Sequence, residues 1–183
     1  MRRLLALLMI SALLGGCATF EVIEKSQATG PDQSYTIDLP LNWIRQTSVT
    51  ERIVVTRDGF RLQSIAVSRT LSKDAFPKLK KSADEKLLVS ELAELQVAET
   101  KSGSEQMSNL TVVENVPASV GGKNGFKLHV QFKNPRGLNF DLIYYGVLYK
   151  GYYYLVSYLP PRLYYFEKYR PDFERTAASF RLT

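Results

Sequence analysis

The sequence predicts an α+β domain built on an antiparallel sheet, and three observations carry that prediction. Phe126, Leu128, Val130 and Phe132 alternate with Lys127, His129, Gln131 and Lys133, which is the period of a half-buried strand. Asn134-Pro135-Arg136-Gly137 and Lys150-Gly151 link this stretch to two further runs, 138–149 and 152–158, and connections this short join antiparallel neighbours. Between residues 71 and 103 the period becomes helical, with Leu88, Leu92 and Leu95 in one stripe and Glu85, Glu91, Glu94 and Glu99 available to face water.

Residues 1–16 come first, and they have the layout of a cleaved export signal. Arg2 and Arg3 form a charged start, residues 4–13 an apolar core, and Gly15 and Gly16 a small pair before Cys17. The apolar run is shorter than the roughly 20 residues a spanning helix needs. Leu14-Gly15-Gly16-Cys17 resembles the bacterial lipobox, which implies diacylglyceryl attachment at the Cys17 thiol, cleavage before it, and fatty acylation (a palmitate-type chain) of the new amine. Two or three acyl chains together hold a protein stably on a membrane, where one binds marginally. The resemblance also implies an outer-membrane destination facing the periplasm, because Ala18 stands where an aspartate would mark inner-membrane retention.

Cys17 is the only cysteine, so the mature domain has no disulfide and depends on packing. Removing residues 1–16 from the 183 leaves 167, enough for one domain with a substantial core. Removing Arg2 and Arg3 takes the formal charge from +6 to +4, a mild balance that is no nucleic-acid signature.

Residues 17–33 read as the lipidated N-terminus and a tether, closed by the turn signal Thr29-Gly30-Pro31-Asp32. Such a tether would reach about 20–24 Å from the headgroups. The domain is expected over residues 34–183. Tyr35, Ile37 and Leu39 alternate in a strand over 34–39, which Pro40 ends, and the following turn brings Trp43 toward the core. Two Ile- and Val-rich strands, 52–57 and 61–69, are joined at Asp58-Gly59, a strong hairpin signal. The helix is expected over 82–100, with Gly103 as its stop and the Leu88 stripe in the core. A strand over 110–115 ends at Val116-Pro117. Residues 121–125 form a glycine-rich bend. Leu159-Pro160-Pro161 breaks the sheet, and Pro161 opens a helix with Leu163, Phe166 and Tyr169 on its apolar face. Arg170-Pro171 interrupts that helix before a short one over 172–179.

Candidate chemistry is sparse. The Gly121–Gly125 segment lacks the Gly-Lys-Ser/Thr ending of a phosphate loop and leads into a strand, so it reads as a structural bend. His129 is the only histidine and lies on a polar strand face, without the cysteine or histidine partners of a metal site or a nucleophile beside it. It reads as a surface residue. Asp141 and Glu114 are carboxylates on strands whose mutual placement the sequence leaves open. Ten of the 11 tyrosines fall between Tyr144 and Tyr169. They read first as strand residues packed beneath the terminal helix. The functional alternative is a ligand or partner surface lined by Tyr145, Tyr149, Tyr153 and Tyr165.

Pro40-Leu41-Asn42-Trp43, the Gly121-to-Phe126 turn, the Gly151-Tyr152-Tyr153-Tyr154 hairpin and the final Ala178-Ser179-Phe180 together resemble PsbP-like domains. That group includes the extrinsic photosystem II protein, a Ran-binding nuclear import factor and bacterial DcrB-type lipoproteins. The resemblance covers residues 34–182 and implies an antiparallel sheet sandwiched by helices (an α/β/α sandwich) with a non-enzymatic binding or assembly role. It implies no cofactor and carries over no functional residue. The expectation is an envelope lipoprotein that binds a protein partner and no nucleic acid. A small-ligand or lipid carrier using the tyrosines is the first alternative, and a hydrolytic enzyme the second.

Overall fold

The protein is described by a computed structural model, which covers residues 19–103 and 107–183. Its strands are β1 (Phe20–Val22), β2 (Gln27–Thr29), β3 (Tyr35–Asp38), β4 (Ile44–Gln46), β5 (Arg52–Thr56), β6 (Ser64–Leu71), β7 (Ser108–Val120), β8 (Lys123–Lys133), β9 (Asn139–Tyr149), β10 (Tyr152–Leu159) and β11 (Arg181–Leu182). Among the described residues two α-helices, α1 (Val89–Ser102) and α2 (Glu167–Ser179), accompany them. Eight strands form the main sheet in the order β1-β4-β5-β6-β10-β9-β8-β7, and β11-β3-β2 form a small second sheet. Every pairing is antiparallel, as the short turns require.

Both faces of the main sheet are covered. On one side Phe173 and Phe180 from the C-terminal segment and Tyr35 and Ile37 of β3 pack against Val55, Val67, Val147, Val156 and Tyr158. Trp43 joins this core edge-on to Tyr169, with ring centres 5.2 Å apart. On the other side α1 and residues 72–88 bring Phe76, Ala83, Leu92 and Ala93 onto Phe126, Leu128, Val130, Leu142 and Tyr153. The alternation of β8 sorts its side chains between these faces, the apolar set going under α1. Gly121 and Gly122 form the two-residue β7–β8 turn with φ of 60° and 78°, the left-handed geometry that matches hairpin twist. Gly146 leaves room for the Phe126 ring, which a Cβ would meet at 2.4 Å.

Several expectations change. The tether over 17–33 is corrected, because β1 and β2 lie inside it and Ile23 and Ala28 are buried. Three-residue strands are too short to show a period, and their ladder partners are distant in sequence. The helix starts at Val89 rather than 82, with the Glu91 carboxylate accepting the Leu88 N–H at 2.8 Å. Leu88 itself is 66% exposed, so it is not core, whereas Leu92 is buried. β7 runs through Pro117 because it is an edge strand, where a missing N–H breaks no ladder. Residues 162–166 form an irregular turn, and α2 continues through Pro171 near its start instead of stopping there.

Candidate functional site

The four candidate tyrosines do not converge. Tyr145 and Tyr149 pack toward the α2 side, while Tyr153 is buried on the opposite face and donates to Gln96 Oε1 at 2.9 Å. Tyr165 lies in the turn before α2, with its ring 6.5 Å from that of Tyr169. Tyr145 donates to Glu174 Oε2 at 2.6 Å, and burial followed by the Glu174 carboxylate pushes its hydroxyl well above the ordinary range. The sheet separates Tyr153 from the other three, and all four rings fill and brace it. Cys17 lies outside the described residues.

The convergence the sequence leaves open occurs at Asp141. β8 and β9 set Gln131 opposite Asp141 and His129 opposite Ile143, so three polar side chains meet on the α2 face. Asp141 has 0% exposure. Its Oδ1 accepts His129 Nε2–H at 2.7 Å and Gln131 Nε2–H at 2.9 Å, and its Oδ2 accepts Arg162 Nε–H at 3.0 Å. Burial pushes the carboxyl up, but the hydrogen bonds from His129, Gln131 and Arg162 outweigh it and hold Asp141 below the usual carboxylate range. The His129 ring stacks on Phe166 at 5.3 Å, and its side chain is only 12% exposed. The surface reading of His129 is corrected accordingly: the face is polar, but the turn before α2 covers it. Glu114 pairs instead with Lys127 at 3.1 Å.

This arrangement holds a shape. A sealed carboxylate with its oxygens occupied accepts hydrogen bonds and pins Arg162; it has no free lone-pair direction facing solvent for general-base work. Asp141 N–H also donates to the Pro160 carbonyl at 3.1 Å, and Phe140 bridges to Pro161. The segment after β10 is thus tied to β9 from backbone and side chain.

What the pinned segment presents is apolar and exposed. Leu163 is 88% and Tyr164 63% exposed, and Leu138 is 54% exposed. Tyr164 has φ 73° and ψ −56°, a tight-turn geometry that is strained for a residue with a side chain. With Gly137, Asn139, Pro161 and Arg162 these residues border an open cleft of 430 Å³. Lys168 Nζ lies 4.7 Å from the Tyr164 ring centre, and Arg136 is exposed in the β8–β9 turn. The double proline before Arg162-Leu163-Tyr164 is the sequence signal for this feature, masked by its resemblance to a helix start. Among the described residues, no group of three metal-ligating side chains occurs and no helix is long and apolar enough to cross a membrane.

No family model and no curated protein sequence matches the chain. Solved structures do. The cyanobacterial PsbP (CyanoP) of Synechocystis superposes with a TM-score of 0.59 at 11% identity, covering 93% of this chain and 99% of that one. The Ran-binding protein Mog1p of Saccharomyces cerevisiae gives 0.58 at 10% identity over 87% and 96%. A Bacteroides thetaiotaomicron protein gives 0.52 at 9% identity over 88% of this chain and 49% of its own, so the chain spans about half of that protein's length. At such identities the likeness establishes the fold: the chain has the antiparallel α+β architecture of PsbP and Mog1p.

Proposed function

We propose that this chain is a lipid-anchored protein of the bacterial cell envelope that binds a partner protein without catalysing a reaction. Its contact surface is the Leu138–Leu163–Tyr164 patch. The observation that carries the reading is the exposure of Leu163 and Tyr164 on a strained turn held rigid by the sealed Asp141–Arg162 pair. Apolar side chains left in water on a braced turn mark interaction surfaces, and tyrosine and arginine are the residues that dominate them. Arg136 is exposed beside the patch, while Arg162 is paired with Asp141 and Lys168 with Asp58, so the surface suits a partner that brings an apolar anchor.

The fold supports the same reading, since Mog1p is by name a Ran-binding protein. Envelope location and anchoring rest on the lipobox resemblance around Cys17, and an outer-membrane, periplasm-facing position rests on Ala18. The carrier alternative loses Tyr153, which faces the opposite side of the sheet from Tyr145, Tyr149 and Tyr165. The hydrolase alternative gains the convergence of His129 and Asp141, but the His129 ring is stacked beneath Phe166 and its side chain is only 12% exposed.

A photoreactive residue placed by Leu163→p-benzoylphenylalanine in cells tests the patch. A discrete protein adduct is expected, and Tyr164→Ala is expected to weaken binding by about 2 kcal/mol, roughly 30-fold, and so to remove most of the adduct. No protein adduct, adducts with lipid alone, or an adduct indifferent to Tyr164→Ala would defeat the reading.

A further inference from the structure

The fold begins very close to Cys17. Thr19 carbonyl already accepts the Thr47 N–H at 2.9 Å, and β1 starts at Phe20. Cys17 and Thr19 are two residues apart, and an extended chain covers at most about 3.6 Å per residue, so their Cα atoms lie within roughly 7 Å of each other. A cysteine carrying lipid at that point cannot be separated from the domain by more than this. The domain edge that holds β1 must sit at the headgroups rather than clear of them.

That edge is apolar where it is exposed. Phe20 and Val22 point to the same side of β1 and are 52% and 58% exposed. The Phe20 ring stacks on Phe60 at 5.8 Å, so the turn between β5 and β6 extends the same surface. Leu62 in that turn is 39% exposed, and Arg57 and Arg61 flank Phe60 on an exposed stretch. Glu21 points to the other side of β1, toward Arg45 at 3.7 Å. Asp58 is drawn away toward α2, accepting the Tyr169 hydroxyl at 2.5 Å and pairing with Lys168 at 3.7 Å. Glu21 and Asp58 are therefore engaged elsewhere, while the aromatic rings and Arg61 stay on the patch and Arg57 donates one N–H to the Asn42 carbonyl at its border, the composition of an interfacial membrane contact.

We infer that the Phe20–Phe60 edge is a membrane-docking surface that lies in the headgroup zone of the bilayer holding the Cys17 lipid, with Arg57 and Arg61 at anionic headgroups. This rests on the lipid-anchor reading of Cys17. The patch orients the domain rather than retaining it: the anchor makes docking intramolecular, so a surface too weak to bind a membrane alone suffices. Lys168 links the Asp58 turn to the Tyr164 ring, so docking sets the proposed partner patch beside the membrane surface.

The test uses the lipidated full chain in vesicles of phosphatidylcholine and phosphatidylglycerol, with and without brominated acyl chains. The Phe60→Trp variant is compared with wild type, whose buried Trp43 supplies the background. Added emission that is blue-shifted and lost to the brominated lipid supports docking, with Lys123→Trp at the far hairpin remaining unquenched. Vesicle-bound protein whose added tryptophan stays unquenched overturns the docking while leaving the anchor intact. Wild type that takes up no labelled fatty acid and stays off vesicles overturns both. Phe20→Trp serves as the second probe should Phe60→Trp not fold.

Discussion

Asp141 is the residue on which the candidate site depends. Its carboxylate lies beneath the turn before α2 and takes hydrogen bonds from three side chains. Asp141→Asn keeps the shape but removes the charge, and it is expected to cost about 1.5–3 kcal/mol, measured by urea unfolding. The pH dependence has a definite sign. The folded carboxyl binds its proton more weakly than the unfolded one, so its stabilisation is present above the ordinary carboxylate pKa of about 3.9 and is lost as pH falls through the lower folded value. Stability should therefore drop below about pH 4, and Asp141→Asn should flatten that drop; an unchanged acid limb would show that the cluster contributes little. Alternation along β8 places His129 and Gln131 on the face opposite Leu128 and Val130. It is silent on what covers that face, because the covering turn is distant in sequence and Arg162 arrives from it.

At the scale of elements, Glu99 shows why the first helix is not where its leucines alone place it. The α1 carboxylate is nearly buried and accepts the N–H groups of Lys78 and Leu79 at 3.0 and 3.1 Å. It ties the irregular 72–88 segment to the helix, and that segment, with Phe76 fully buried, takes the space a longer helix would occupy. Glu99→Ala leaves two backbone donors without their acceptor and is expected to cost about 2–4 kcal/mol. Hydrogen exchange at the Lys78 and Leu79 amides should accelerate with it, and exchange that remains slow at both would count against the pin. β7 is the element whose exposure needs managing, as a long edge strand with Val112, Val113 and Val116 in water. Register breaks between Ser108 and Thr111 and between Val112 and Glu114, together with Pro117, interrupt the flat edge another strand would need.

For the whole molecule, the main consequence is the closeness of the fold to Cys17, the proposed anchor. Cys17→Ser is expected to move the protein from the membrane fraction to the soluble one. Persistence in the membrane fraction would locate the anchor elsewhere. The sheet is filled on both sides by aromatic and branched side chains, so the proposed recognition falls to turns and edges.

The α+β class and the β8–β9–β10 meander with its turns are legible in the sequence. Alternation and paired turn residues are local properties whose periods survive any tertiary arrangement. The sequence likewise contains the lipobox-like segment, a short linear pattern. Three features come from the folded chain: β1 and β2 join the sheets, His129 and Asp141 meet under the turn before α2, and Leu163 and Tyr164 are left in water. Each of these depends on contacts between residues far apart in the chain, whose burial is set by what packs over them and not by their neighbours in sequence.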